Sequence, residues 1–207
     1  MFSKPSAHMT HDAQQFDALF KHNDDPWHFK TRWYETRKRA LTLAALPAQR
    51  FASVYEPGCA NGELTAELAT RCDRVVASDG AARAVELARD RVAAFKNVTV
   101  RQAWVPQDWP DETFDLIVIS ELAYYLSRAD LDGLITKARV SLNPNGTLLA
   151  CHWRPTIEGC ALNGDEVHRR IHAGIGLPRL LEFSDADLRI DVWCKDHRSV
   201  ALREGLR

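Results

Sequence analysis

Two acidic residues stand where neighbouring predicted strands end, and a glycine-containing loop follows the first of them. Glu56 opens the segment Glu-Pro-Gly-Cys-Ala-Asn-Gly, and Asp79 closes the next strand, 17 residues after Gly62. The glycines at positions 58 and 62 allow a sharp turn and a close approach to a ligand, because they lack a Cβ. A turn from strand to helix is where open α/β sheets bind ligands. The pattern therefore predicts a binding loop flanked by two carboxylates.

The two carboxylates also indicate what the loop binds. Glu56 would repel a phosphate but suits a positive ammonium group, and Ala60 and Glu63 replace two glycines of the dinucleotide fingerprint. Asp79 is placed to accept hydrogen bonds from both hydroxyls of a ribose. S-adenosylmethionine is a cationic, adenosine-containing ligand that satisfies both acids. The alternative is that the acids are solvated strand-end residues and that the glycines serve the turn alone.

The elements that must position these residues alternate along the chain. Apolar runs typical of buried parallel strands lie at residues 52–55, 75–78, 98–100, 116–119 and 147–151, with helical stretches at residues 62–70, 82–95 and 130–142. Parallel neighbours need a crossover of at least about a dozen residues, so this alternation predicts a doubly wound α/β sheet. Further segments predict a terminal antiparallel hairpin at residues 188–193 and 199–203, and two helices before the sheet at residues 12–22 and 33–46.

Length and composition bound the class of protein. The 207 residues have the size of one α/β domain, so residues 1–207 are predicted to form a single domain with a flexible tail at residues 1–11. The net charge of −1 gives no general attraction for nucleic acid or for a membrane surface, so a small molecule is the expected partner. Five cysteines without CxxC spacing are typical of a cytoplasmic protein without disulfides or zinc. The oligomeric state stays open.

Four segments resemble class I S-adenosylmethionine-dependent methyltransferases. They are the binding loop, the acid of Ala-Ser-Asp-Gly, the run F-D-L-I-V-I-S-E-L-A-Y-Y-L at residues 114–126, and L-N-P-N-G at residues 142–146. The resemblance implies a Rossmann-like seven-stranded sheet of order 3-2-1-4-5-7-6, mostly parallel with a C-terminal antiparallel hairpin, with helices on both faces and a helical lid at residues 12–50. It also implies the cofactor-binding residues Glu56, Gly58, Cys59, Ala60, Gly62, Asp79, Gly80, Ala103, Trp104, Val105, Ser120 and Glu121.

A closer resemblance, to the nodulation protein S subgroup, covers nearly the whole chain from about residue 17. It depends on D-P-W-H-F-K-T-R-W-Y-E-T-R-K-R-A-L-T-L-A-A-L-P near the N-terminus and on the later H-W-R and G-D-E-V-H. The subgroup's namesake N-methylates the free amine of a deacetylated chitooligosaccharide, so the resemblance implies N-methylation of a small-molecule amine such as an amino sugar. The alternatives are O-methylation of a small metabolite, cofactor binding without catalysis, and NAD-dependent oxidation.

One pair of residues departs from the methyltransferase pattern. The family's third strand usually ends in an acidic residue near the adenine amino group, whereas this chain has Ala103-Trp104 there. An indole stacks on adenine but accepts no hydrogen bond from its amino group. We expect backbone groups near Val105 to hold the adenine instead.

Side chains after the fourth and fifth strands are the candidates for catalysis. Methyl transfer from a sulfonium is an in-line displacement, which requires an aligned acceptor and exclusion of water. An amine must also lose its proton, and Glu121 or His152 is the predicted base, with Tyr124 beside it. The alternatives are a cofactor contact for Glu121 and a structural role for His152. The residues predicted to contact the acceptor are Tyr125, Trp153, Arg154 and His168.

The segment before the first strand is rich in aromatic and basic residues. Trp27, Trp33 and Tyr34 are predicted to cover the cofactor as a lid, and a core role for the tryptophans is the alternative. Arg32 is the predicted partner of the cofactor's carboxylate. The basic residues 37–39 are predicted to lie on a solvated helix face. No metal site is predicted, because His168 and His172, which are four residues apart on a predicted helix, have two arginines between them.

Overall fold

The structure is a computed structural model that describes residues 13–196 and 198–207, so the predicted tail at residues 1–11 lies outside the described residues. Two helices come first, α1 (Ala13–His22) and α2 (Trp33–Ala44). After them come β1 (Phe51–Pro57), α3 (Glu63–Arg71), β2 (Cys72–Asp79), α4 (Ala82–Arg91), β3 (Val98–Gln102), β4 (Phe114–Ser120), α5 (Arg128–Val140), β5 (Leu142–Trp153), α6 (Gly164–Ile175), β6 (Arg179–Ser184), β7 (Leu188–Cys194) and α7 (Val200–Arg203). A short 3₁₀ turn, Ala123–Tyr125, lies between β4 and α5. None of the helices in the described ranges has the length and apolarity needed to cross a membrane.

The seven strands form one sheet in the order β3-β2-β1-β4-β5-β7-β6. The pairs among β1 to β5 are parallel, whereas β7 pairs antiparallel with both β5 and β6. The predicted fold class and strand order are therefore confirmed. Residues 116–119 of β4 are fully buried, as the central strand of a sheet covered on both faces requires.

Side chains that alternate across the sheet separate two apolar layers. Ile117 and Ile119 of β4 pack in one layer with α5 and α6. Leu116 and Val118 pack in the other layer with Leu68 of α3 and with apolar residues of α2. Helices thus cover both faces and bury the apolar surface of the doubly wound sheet.

The C-terminal hairpin pairs different segments from those predicted. Its strands are β6 and β7, whereas residues 199–203 are helical and begin at the cap Ser199, whose Oγ accepts a hydrogen bond from Leu202 N. Strand β6 escaped prediction because it lies at the sheet edge and none of its residues is fully buried, so it carries no apolar run. Asp185 fixes the turn between the two strands, since its Oδ1 accepts hydrogen bonds from Asp187 N and Leu188 N.

The first helix lies against the start of α4, next to the carboxyl end of β2. Phe20 packs on Ala81 and Ala84. Asp17 Oδ1 accepts a hydrogen bond from Ala82 N, which belongs to the first turn of α4 and has no partner within the helix. The residues before β1 therefore reach the same edge of the sheet as the predicted binding loop.

Candidate functional site

A cleft of about 600 Å³ opens at the carboxyl ends of the parallel strands, between these ends and the N-terminal helices. The predicted site residues that line it are Trp27, Arg32, Tyr34, Glu56, Gly58, Cys59, Ala60, Asp79, Gly80, Ala103, Trp104, Val105, Ser120, Glu121, Tyr124, Tyr125 and Trp153. Five predicted residues do not line it: Trp33, Gly62, His152, Arg154 and His168. The sequence analysis missed other lining residues, among them Phe16, Phe20, Phe29, Glu35, Lys38, Asn61, Ile157 and Asp187.

The loop after β1 turns through left-handed backbone conformations. Gly58 has a φ of +74° and Ala60 a φ of +48°, and Gly58 N donates to Ser78 O at 2.7 Å. Gly62, predicted as a cofactor contact, instead serves the packing of α3 on α4. A Cβ at this position would come within 2.9 Å of Ala88 Cα, and the φ of +81° is one that side chains disfavour.

Asp79 holds the binding loop and faces the cleft at the same time. Its Oδ2 accepts a hydrogen bond from Ala60 N at 2.9 Å, and its Oδ1 accepts one from Ala81 N at 3.0 Å. Burial raises the pKa of Asp79, although these backbone donors act in the opposite direction. Each carboxylate oxygen can accept more than one hydrogen bond, so the group can also receive ligand hydroxyls.

Glu56 is the most deeply buried acid of the cleft, with 2% of its surface exposed. Thr65 Oγ1 donates a 2.6 Å hydrogen bond to its Oε2. Burial raises the pKa of Glu56 to about 8, and the negative charge of Asp79 adds to the effect. Two acids in one secluded cleft favour a positively charged ligand, because a cation offsets the cost of burying their charges.

Asn61 adds a third acceptor next to these two acids. It is 2% exposed, and its Nδ2 donates to Asp24 O and to Asp25 Oδ1, whereas its Oδ1 has no hydrogen-bond partner among the residues that the structure describes. Buried polar atoms in native proteins are nearly always satisfied, so an unpaired acceptor on the cleft wall indicates a ligand with donors. An ammonium group and ribose hydroxyls supply such donors.

Trp104 lies flat against the turn that follows β2. A Cβ on Gly80 would come within 2.4 Å of Trp104 Cε3, so only glycine fits beneath the indole. Trp104 N is itself engaged with Asp108 Oδ2 at 2.9 Å. The indole thus forms an apolar wall of the cleft at the position where the methyltransferase pattern has an acid.

Glu121 stands at the other end of the cleft, directly after β4. Its Oε2 accepts a 2.8 Å hydrogen bond from Tyr124 Oη, and its Oε1 accepts one of the same length from Trp153 N. Its backbone has a φ of +56°, a strained value for a residue other than glycine. Burial raises the pKa of Glu121, while the positive charge of Lys38 opposes the shift.

Lys38 reaches Glu121 from α2, which corrects the prediction that residues 37–39 form a solvated face. Lys38 is 4% exposed, and its Nζ lies 2.9 Å from Glu35 Oε2 and 3.6 Å from Glu121 Oε2. The ammonium also sits over the rings of Phe29 and Tyr34. Sequence spacing shows Glu35 and Lys38 as a helix pair but gives no sign that they face a strand end.

Two predicted lid and rim residues point elsewhere. Trp33 is 75% exposed and caps nothing in the cleft. Arg154 forms an ion pair with Asp165 at 3.0 Å and donates to Asp185 O, so it does not face an acceptor. The aromatic lining is formed by other residues, among them Tyr34 and Trp153, which pack edge to face with ring centroids 5.3 Å apart.

The two predicted histidines lie behind the cleft wall and are corrected as well. His152 is fully buried, its Nε2 accepts from Ala123 N, and its Nδ1 lies 3.0 Å from His168 Nε2. Neither ring nitrogen is left to take a proton from an acceptor. His168 is also fully buried and contacts Asp191. The signal that could have shown this is the two-residue alternation of β5, because residues 148, 150 and 152 share one face.

Comparison with known families gives one assignment. The family model of nodulation protein S (NodS) matches residues 12–167. The chain is 33% identical over 118 residues to nodulation protein S of Rhizobium tropici, which covers 56% of this chain and 50% of that protein. It is 31% identical over 128 residues to nodulation protein S of Bradyrhizobium diazoefficiens, with 61% of each protein covered. The matched segments thus span about half to three-fifths of the curated relatives' length.

Two solved structures have the same architecture. A putative methyltransferase from Pseudomonas syringae is 51% identical, with a TM-score of 0.72, and the match covers 79% of this chain and 99% of that one. The N-methyltransferase NodS from Bradyrhizobium japonicum WM9, in complex with S-adenosyl-L-homocysteine, is 23% identical, with a TM-score of 0.80. That match covers 88% of this chain and 97% of the other, and at this identity it supports the fold alone.

Proposed function

The chain belongs to the nodulation protein S family, and from this premise we propose that it is an S-adenosylmethionine-dependent methyltransferase that N-methylates a small-molecule amine. The observation that carries the proposal is the pair of acids Glu56 and Asp79, which stand at neighbouring strand ends and face one cleft. The other end of that cleft holds a third acid, Glu121, whose side chain is 22% exposed. A cationic nucleoside therefore fits one end and an amine the other.

The first end of the cleft suits the cofactor. Glu56 would bind its ammonium group, and Asp79 would bind its ribose hydroxyls. Asn61 offers an unpaired acceptor beside them. The adenine would lie against Trp104, and Arg32 would meet the carboxylate. When bound, the cofactor supplies an electrophilic methyl group on a sulfonium.

The second end suits deprotonation of an amine. An ammonium has no lone pair for attack, so its proton must move to a base before the methyl group is transferred. Glu121 is that base in our proposal, because two hydrogen bonds fix its carboxylate and burial raises its pKa toward the working range. The proton passes from the acceptor nitrogen to a carboxylate oxygen of Glu121. Lys38 keeps Glu121 ionised until the amine arrives.

Aromatic residues around Glu121 support an acceptor with an apolar face. Tyr125, Trp153 and Ile157 line this end of the cleft, and Tyr34 covers it from α2. The apolar face of an amino sugar stacks on such rings, which is why a deacetylated amino sugar is our first candidate acceptor. An alcohol activated by the same base is the second candidate, and binding without turnover is the third.

The test is a methyl-transfer assay with labelled cofactor on a panel of deacetylated sugars, other free amines and alcohols. Calorimetry with S-adenosylhomocysteine accompanies it. We expect binding, transfer to an amine, and loss of transfer in Glu121→Gln, which keeps the shape but not the base. Glu67→Gln, an exposed change on α3, is the matched control. Absence of binding rules out the cofactor assignment, whereas binding without transfer to any acceptor supports a silent binding module.

A further inference from the structure

A chain of polar side chains crosses the apolar layer behind the cleft. Asp191 of β7, His168 of α6 and His152 of β5 each have 0% of their surface exposed. Asp191 Oδ2 lies 2.6 Å from His168 Nδ1, and His168 Nε2 lies 3.0 Å from His152 Nδ1. The chain ends at Ala123 N, which donates a 3.2 Å hydrogen bond to His152 Nε2. None of the three side chains lines the cleft.

The last hydrogen bond fixes the direction of all the others. A backbone N–H can only donate, so His152 Nε2 is an acceptor, and the proton of the neutral ring is on Nδ1. His152 Nδ1 then donates to His168 Nε2, and His168 Nδ1 donates to Asp191. Burial lowers the pKa of both histidines, which keeps the rings neutral.

The negative charge of Asp191, at the far end of this hydrogen-bonded series, is balanced by two arginines that are not part of the series. Burial alone would raise the pKa of Asp191, but hydrogen bonds from His168 and Arg189 bring it below the usual value. Arg189 Nε donates to Asp191 Oδ2 at 2.9 Å, and Arg179 Nη1 lies 3.6 Å from Oδ1. The hydrogen bonds therefore all donate in the same direction, from the backbone N–H of Ala123 to the ion-paired carboxylate of Asp191.

The near end of the series holds the turn that shapes the acceptor end of the cleft. Ala123 begins the turn Ala123–Tyr125, and Tyr124 in this turn donates to the Glu121 carboxylate. The His152 ring also meets the Tyr124 ring edge to face, with centroids 5.4 Å apart. Glu121 itself has a strained backbone, and such a conformation persists only where the surroundings hold it.

We propose that Asp191, His168 and His152 are positioning residues, which form a hydrogen-bond relay that holds residues 121–125 in the geometry needed for methyl transfer. The proposal rests on the function proposed above, since it concerns the same cleft. The relay acts through Ala123 N and Tyr124, and its members touch no substrate. Disruption of the relay would misplace Glu121 and Tyr124 and would leave intact the end of the cleft that holds Glu56 and Asp79.

The first test measures the ring protons directly. Protein with ¹⁵N-labelled histidine is examined by long-range ¹H–¹⁵N correlation, and the spectrum of His152→Gln assigns the signals. We expect both rings to carry their proton on Nδ1, with His168 Nδ1–H strongly shifted downfield by its short bond to Asp191. Amide exchange at Ala123 should become faster in His152→Leu. A proton on Nε2 of either ring, or unchanged exchange at Ala123, overturns the relay.

The second test compares substitutions of His152. Leucine removes the acceptor for Ala123 N, whereas glutamine places Oε1 near the position of Nε2. We expect His152→Leu to lower kcat about 100-fold, the effect of a misplacement of roughly 1 Å, and His152→Gln to recover most of it. His22→Leu, a change of an exposed histidine in the last turn of α1, is the control and should keep full kcat.

Each kcat is expressed per site that binds S-adenosylhomocysteine, so loss of folded protein does not lower it. A merely structural histidine would reduce the number of sites and leave kcat per site unchanged, which would overturn the proposal, as would equal loss in the leucine and glutamine variants. If wild-type protein transfers no methyl group to any acceptor, the proposed function fails. The ring-proton and exchange measurements then decide the relay on their own.

Discussion

Glu56 carries a carboxylate that the fold has removed from water, with the Thr65 hydroxyl as its donor. Its folded-state pKa of about 8 lies above the ordinary 4.5, so the folded protein holds this proton more tightly than the unfolded chain. The stability that this group contributes is present below pH 4.5 and is lost as the pH rises through 8. The acid that is proposed to bind a cation, Glu56, thus lowers the free energy of unfolding of the ligand-free protein as the pH rises.

Replacing Glu56 by glutamine should separate these two effects. The amide keeps the acceptor for Thr65 and has no charge to bury, so the empty variant should unfold at a higher temperature than wild type at pH 8. Affinity for S-adenosylhomocysteine should fall roughly 30-fold, about 2 kcal/mol, because a buried charge-assisted contact is lost. Thermal unfolding and calorimetry at pH 6 and 8 measure both. Unchanged affinity would show that Glu56 contacts no cation.

Lys38 joins α2 to the acceptor end of the cleft, and Lys38→Met should reveal its role. The buried Glu35 and the partly buried Glu121 would both lose their cation, at a cost of about 3 kcal/mol in unfolding free energy. The pKa of Glu121 should rise further, so the acidic limb of the kcat profile should move to higher pH. Arg37→Met, a change on the same helix at a partly exposed ion pair, is the control. A folded variant with an unmoved acidic limb contradicts this account.

At the scale of elements, the turn after β2 packs against the loop after β3 where Gly80 meets the Trp104 indole. Gly80→Ala would place a Cβ about 2.4 Å from the indole, so the ring must move, at a cost of about 1–3 kcal/mol together with weaker cofactor binding. Trp104→Ala removes the obstacle. In a double-mutant cycle, the glycine substitution should therefore cost almost nothing once the indole is gone. Additive losses would mean that the backbone at Gly80 is the cause.

The elements that the sequence predicted well are those whose pattern is set by burial alone. Strands β1, β2 and β4 are apolar because helices cover both faces, so their runs identify them without tertiary knowledge. Strand β6 is an edge strand with little burial, and α7 is one short turn, so residues 199–203 were wrongly predicted to be the hairpin partner of β7. Local composition carries little information where pairing with a single neighbour decides the structure.

The lining of the cleft was predictable where the ends of neighbouring strands supply it. Glu56, Gly58 and Asp79 are tied to strand ends, and the topology brings such ends together. Lys38 and His152 were misassigned, because their surroundings come from elements far apart in the sequence. A charged residue on an amphipathic helix is usually solvated, and only the approach of α2 to the end of β4 makes Lys38 an exception.

At the scale of the whole molecule, titratable groups with shifted pKa values lie on both sides of the cleft wall. The cleft holds three acids whose pKa values burial raises, Glu56, Asp79 and Glu121. The opposite side of the cleft wall holds the two histidines of the relay, whose pKa values burial lowers. These shifts have opposite effects on stability as the pH changes, so substitutions on each side can be distinguished by the pH dependence of unfolding.

The relay makes the global stability sensitive to acid, and His152→Leu should remove part of this sensitivity. The folded-state pKa of His152 lies well below the 6.5 of the free side chain, so its stabilising contribution is present above pH 6.5 and is lost as the pH falls. Relative to wild type, the leucine variant should gain about 1.4 kcal/mol of unfolding free energy per pH unit below 6.5, since its unfolded chain no longer takes up that proton. Urea unfolding at several pH values between 5 and 8 measures the difference, in which the groups that do not contact His152 cancel. A difference that stays constant across that range would mean that His152 is as free to protonate in the folded protein as in the unfolded chain.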